Sequence, residues 1–249
     1  MTLPANWTLV PAVATPHQLE DAVHAFVEAM PHVIGTVTDE ELARAVSVAV
    51  GHCALECGNF GMKLEGGEWT PSNPPTLLNE NLGNTRPGQH EVCEVTHYRC
   101  NELIGGKVVW YTPPQDESTF RSFRRFALGV LAQLLFLGRP ESRYHQAWLR
   151  LLAGDPAGFV QQLKLHGYMT GDEGPYERAV VSIFGRVLPI ARRVIAGEHH
   201  GVTDEDREHV ADQVALSLDT ISREFDAAEP FPLDDEKTDP GSPPPSATA

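Results

Sequence analysis

With 249 residues and 41% hydrophobic content, the chain can bury a sizeable core, as one domain or two small ones. Its net charge of −15 argues against nucleic-acid binding, which needs a basic face, and against simple electrostatic attachment to an anionic cell wall. No apolar run approaches a membrane span, and Met1 to Trp7 lacks the basic and apolar regions of a signal peptide. Synthesis in the cytoplasm is therefore expected, with carriage or release by another agent if the chain acts outside.

An irregular stretch runs to Thr15, where Thr15-Pro16-His17-Gln18 reads as an N-cap, a proline at N1 and a capping-box partner. Leu19, Val23, Phe26 and Met30 then form an apolar stripe. Thr38 and Glu41 form a second capping box and open a helix that runs to Cys57. From Asn59 to Pro87 the abundance of Gly, Asn and Pro reads as a long loop. His90 to Tyr98 and Lys107 to Thr112, rich in Val, Tyr and Thr, read as two strands turning at Gly105-Gly106, and Phe120 to Phe123 adds a short extended piece.

The rest reads as helix. Arg124 to Leu137 is apolar enough to be central and buried, and Ser142 to Ala153 follows. Asp155-Pro156 starts another that stops at Gly167, and Pro175 to Ala196 is long and amphipathic, ending at Gly197. A last helix is expected from Thr203 to about Ala228, and a disordered Pro/Ser/Asp-rich tail from Pro230 to Ala249. Glu198 to Asp239 carries fourteen acids against three bases, so most of the charge lies there. The expected organisation is a domain over 1–197, an acidic helix over 198–229 and a tail over 230–249. The fold class is mainly α (α+β), a helical body with a small β lobe.

Glu56 is the residue that points to chemistry. Leu42, Val46, Ala49 and Cys53 recur at helical spacing, and Glu56 falls three residues later on the same apolar stripe. A carboxyl group on a buried face is costly without a task or a partner, and burial raises its pKa so that it can hold and donate a proton near neutral pH. The plainer alternative is that Glu56 marks the solvated helix end before Gly58. Cys53 and Cys57, one turn apart, are poorly placed for a mutual disulfide. With His52 and His97 they match no zinc signature, and no metal or cofactor is expected. No phosphate loop or nucleophile elbow is present.

Four stretches together resemble the bacterial and phage glucosaminidase family of peptidoglycan hydrolases, whose fold is lysozyme-like. Ala54-Leu55-Glu56-Cys57-Gly58 resembles the family's Ala-Leu-Glu-(Ser/Thr)-Gly, and Asn81-Leu82-Gly83-Asn84 its Asn-Leu-(Phe)-Gly loop. Asn101-Glu102-Leu103-Ile104-Gly105-Gly106-Lys107, followed by Phe120-Arg121-Ser122-Phe123, resembles its hairpin and the Phe-Arg-x-Tyr beyond it. Gly167-Tyr168-Met169-Thr170 with Tyr176 resembles its late Gly-Tyr-Ala-Thr-Asp…Tyr signature. The likeness covers roughly Asp39 to Pro189. It departs at Cys57, where the family has a hydroxyl residue, in the longer loop before Asn81, and in the acidic end.

The resemblance implies cleavage of a β-1,4 bond of the glycan strand, by an N-acetylglucosaminidase more than a muramidase, with Glu56 as the catalytic acid. Glu102 is the implied second carboxylate, with Glu91 and Glu94 in reserve, or else a solvated hairpin residue. Tyr168 is expected near the reacting sugar or in the core. Asn81, Asn84, Trp69, Trp110 and Tyr176 are the expected sugar contacts, and Arg121 is expected to be structural. An endolysin or a virion-borne lysin would suit a chain without a signal peptide. The alternative is a non-catalytic lysozyme-like adaptor of a phage particle or secretion apparatus, docked through the acidic helix.

Overall fold

The computed structural model describes residues 4–87, 92–104, 107–169 and 172–198. Glu91, the Gly105-Gly106 turn, Thr170, the acidic helix and the tail lie outside the described residues.

Helix α2 (Asp39–Glu56) forms the centre. Its N-terminus carries the expected capping box: Thr38 Oγ1 accepts from the Glu41 amide at 3.3 Å, and the Glu41 carboxylate accepts from the Thr38 amide at 2.9 Å. Beyond that end the helix is buried almost all round, with Ala43 and every residue from Ala45 to Ala54 buried, rather than along one stripe. Small residues permit this. A Cβ on Gly51 would sit 3.3 Å from the Val180 carbonyl oxygen of the long helix α7 (Glu173–Ile195). Helices α1 (Leu19–Ile34) and α5 (His145–Leu152) pack on the same core, as do α4 (Phe126–Gly138) and α6 (Pro156–Leu165). No helix among the described residues is long and apolar enough to cross a membrane.

Helix α6 begins as its sequence predicts. Asp155 accepts from the Gly158 amide at 2.9 Å, and Pro156 occupies the first position. Asp155→Ala is expected to lower unfolding stability by about 1 kcal/mol in urea melts.

Two helix starts fall three residues later than expected, whereas α4 and α7 start within two residues of expectation. Helix α1 begins at Leu19, because Thr15 to His17 are drawn into tertiary bonds. The Thr15 amide donates to the Leu77 carbonyl, the His17 amide to that of Phe60, and the Thr15 hydroxyl accepts from the Glu80 amide at 3.3 Å. Helix α5 begins at His145, because Ser142 forms the preceding turn, donating to the Phe136 carbonyl and accepting from the Tyr144 amide.

The β part is larger than its sequence suggested. The expected loop after Asn59 contains a hairpin, β2 (Met62–Glu65) with β3 (Glu68–Pro71), turning at Gly66-Gly67. The strand expected over His90 to Tyr98 does not pair with Lys107 to Thr112. Its described part, β4 (Cys93–His97), joins β1 (Trp7–Leu9) in parallel and β7 (Thr119–Arg121) antiparallel. The partner of β6 (Lys107–Tyr111) is β5 (Cys100–Ile104). The fold class is as expected, mainly α with small sheets.

Candidate active site

Glu56 is the last residue of α2, and the chain after it is locked in place. Element α3 (Gly58–Gly61) is one left-handed turn, with φ of 60°, 53°, 56° and 76° at Gly58, Asn59, Phe60 and Gly61. Left-handed backbone costs roughly 1–2 kcal/mol per ordinary residue. It persists here because Phe60 is wholly buried and its carbonyl holds the His17 amide. A Cβ on Gly58 would lie 2.7 Å from Thr76 Oγ1, so only glycine fits there.

A second loop closes over the helix end. Asn84 donates from Nδ2 to the Glu56 carbonyl oxygen at 2.9 Å, satisfying one of the acceptors a helix C-terminus leaves open. Its Oδ1 accepts from the Tyr98 hydroxyl at 3.2 Å. Asn81 is buried and uses its amide within the fold: Oδ1 accepts from the Thr85 amide and hydroxyl, and Nδ2 donates to the carbonyls of Thr85 and Arg121. Asn81 thus shapes the loop that presents Asn84.

The Glu56 carboxyl is half-buried and accepts at Oε1 from the Tyr176 hydroxyl of α7. Burial raises its pKa above the ordinary 4.5, and hydrogen bonds from Tyr176 and Asn84 draw it part of the way back. The titratable neighbours are held neutral. Burial raises the Cys57 thiol to about 12 and lifts Cys53, Tyr168 and Tyr176 as well. Among the described residues no cation contributes to the shift of Glu56. A carboxyl with these surroundings holds its proton to higher pH and still finds donors ready for the anion it leaves.

No family model matches the chain, and no curated protein matches it. Among solved structures, a peptidoglycan hydrolase mutant from Sphingomonas sp. A1 is similar at 19% identity, covering 79% of this chain and 99% of that one, with a TM-score of 0.37. That likeness is too loose to add to what the contacts say.

The other predicted site residues divide by the partners they hold. The Tyr168 hydroxyl donates to the Gly83 carbonyl at 3.2 Å, which ties it to the Asn84 loop, and its ring packs edge-on against His52 and Tyr144. Glu102 on β5 forms an ion pair with Arg86 at 2.5 Å, and Arg86 also donates to the Glu117 carbonyl. Among the described residues no hydrogen bond joins Glu102 to Glu56. Glu94 is bound by Arg124. Trp69 on β3 and Trp110 on β6 are 39% and 50% exposed, and the Arg99 guanidinium lies 4.0 Å over the Trp110 ring.

Two residues behind Tyr176 were not expected in the site, His52 having been weighed only as a metal ligand. His52, on α2, places Nδ1 2.8 Å from the Tyr176 oxygen, and Gln133, on α4, places Nε2 3.3 Å from His52 Nε2. Each left a trace in the sequence: His52 precedes Glu56 by one helical turn, and Gln133 interrupts an otherwise apolar run.

Proposed function

We propose that this chain cleaves the β-1,4-linked glycan strand of peptidoglycan, with Glu56 as general acid. The observation that carries this is the desolvated Glu56 carboxyl, which no cation among the described residues shifts and which accepts from the Tyr176 hydroxyl, while Asn84 holds the main-chain carbonyl of the same residue. The acid protonates the glycosidic oxygen as the C–O bond breaks, and the resulting carboxylate is stabilised by the Tyr176 hydroxyl. The half-exposed Trp69 and Trp110 suit stacking on sugar faces, and Tyr168 holds the Asn84 loop in register.

The motif resemblance favours an N-acetylglucosaminidase, delivered by a phage lysis system or carried on a virion, with Glu102 activating water once a sugar loosens its pairing with Arg86. A second reading draws on that same pair. A lytic transglycosylase needs one carboxylate only, and Glu102 is already engaged. Mass spectrometry of fragments released from purified sacculi separates them. Hydrolysis should yield new reducing N-acetylglucosamine ends, whereas transglycosylation yields anhydro-muramic ends. Release of no glycan fragment at all would overturn the proposal.

A further inference from the structure

The group behind Glu56 is a line of three polar side chains, the buried Gln133 and His52 and the partly buried Tyr176, set against the apolar core. His52 is wholly buried, and its ring lies edge-on to Phe159 and Tyr168 at centroid distances of 5.3 and 5.1 Å. A neutral imidazole offers one donor and one acceptor, and the hydrogen bond at one nitrogen decides the other. His52 Nε2 faces the amide nitrogen of Gln133, which can only donate, so Nε2 is the acceptor and the ring proton sits on Nδ1. Nδ1–H then donates to the Tyr176 oxygen. The Tyr176 hydroxyl has one proton, and with its oxygen already accepting, that proton goes to Glu56 Oε1. Each donor thus selects the next, from Gln133 to His52 to Tyr176 to Glu56.

We propose that His52 is a positioning residue for the acid: braced by Gln133, it holds the Tyr176 hydroxyl as a one-way donor to Glu56 Oε1 and so keeps the acid's proton off that oxygen. This rests on Glu56 being the acid. The consequence is geometric. The transferable proton resides on the other carboxyl oxygen, and the anion formed after transfer meets a donor that need not rotate.

Burial keeps the relay neutral, lowering the His52 pKa to about 3. The titratable groups facing Glu56 and Tyr176 from the packed elements are Cys53 and Cys57 of α2, Tyr168 after α6, and Tyr144 beside Tyr168; burial raises the pKa of all four. The relay's far end fits tightly. A Cβ on Gly83 would fall 2.0 Å from Gln133 Oε1, so the loop that presents Asn84 closes directly on the Gln133 amide. That Oε1 is buried without a hydrogen-bond partner among the described residues, a cost that the Gln133 orientation carries.

The test is spectroscopic and uses the full chain. Long-range proton–nitrogen spectra of histidine-labelled protein should show His52 protonated at Nδ1 and still neutral in weak acid. A proton on Nε2 would mean a reversed chain with the Gln133 amide turned, and would overturn the proposal, as would a cationic ring. Tyr176→Phe, which removes one oxygen, should move the Glu56 carboxyl titration up by about one unit, a tenfold gain in proton affinity; an unmoved titration would sink the relay. His52→Leu should shift it the same way, and His52→Asn, whose amide can still donate to Tyr176, should restore it; equal midpoints in the two would also overturn it. Should the His52 variants not fold, the tautomer and Tyr176→Phe decide between them. None of these readouts uses wall cleavage, so failure of the relay and failure of the glycosidase reading remain distinct.

Discussion

Glu56→Gln is expected to lower glycan release from purified sacculi by about 10³-fold, the range associated with loss of a positioned general acid. The substitution keeps the shape of the side chain and a carbonyl-type oxygen for Tyr176, so the fold should survive. Stability provides the internal control, and its sign follows from burial. The folded chain holds the Glu56 proton above the ordinary 4.5 at which the unfolded chain releases it. Between that value and the raised folded one, the native state binds more protons. Stability therefore falls as pH rises through the window and levels off above it. Glu56→Gln should remove that fall and be at least as stable as the parent at neutral pH in urea melts. Loss of activity with retained or improved stability would assign the defect to chemistry. Full activity in a folded variant would remove Glu56 as the acid.

Features set by near neighbours were readable in the sequence, and features set by distant ones were not. The Thr38–Glu41 box and the Asp155-Pro156 start depend on residues within one turn, and both formed as expected. Thr15 has the same local grammar, yet its hydroxyl serves the Glu80 amide, 65 residues on. Strand β4 and part of β7 were recognisable as extended, but the pairing of β4 with β7 and with the short β1 is set by distant residues. The β2–β3 hairpin was marked by Gly66-Gly67 and masked by the surrounding Gly, Asn and Pro. At the site, Glu56 stood out because a carboxylate broke an apolar rhythm. Its direct partner Tyr176 lies 120 positions away on another helix, and no local spacing reports such a contact.

Gly129→Ala is expected to destabilise the protein by roughly 2–3 kcal/mol, although alanine is the better helix former. Gly129 lies inside α4, where intrinsic propensity alone would favour alanine by about 1 kcal/mol. A Cβ there would fall 2.1 Å from the Glu80 carbonyl oxygen, a backbone atom that cannot rotate aside. Glu80 is itself pinned. Its φ is 55°, its carboxylate meets His17 at 2.9 Å, and its amide is bound by Thr15. Relief therefore requires α4 and the Asn79–Asn84 segment to part, and that segment carries Asn84 to the Glu56 carbonyl. The clash outweighs the propensity gain, so the urea midpoint should fall and glycan release should fall with it even where the variant is fully folded. Gly185→Ala isolates the propensity effect. Gly185 is exposed inside α7, and a Cβ there meets nothing within 4 Å, so stability should rise by up to about 1 kcal/mol with activity unchanged. Opposite signs at two helical glycines would show that contact with the Glu80 backbone, rather than helix preference, requires glycine at 129. Equal gains at both would mean that α4 and the acid's covering loop are not in contact as described.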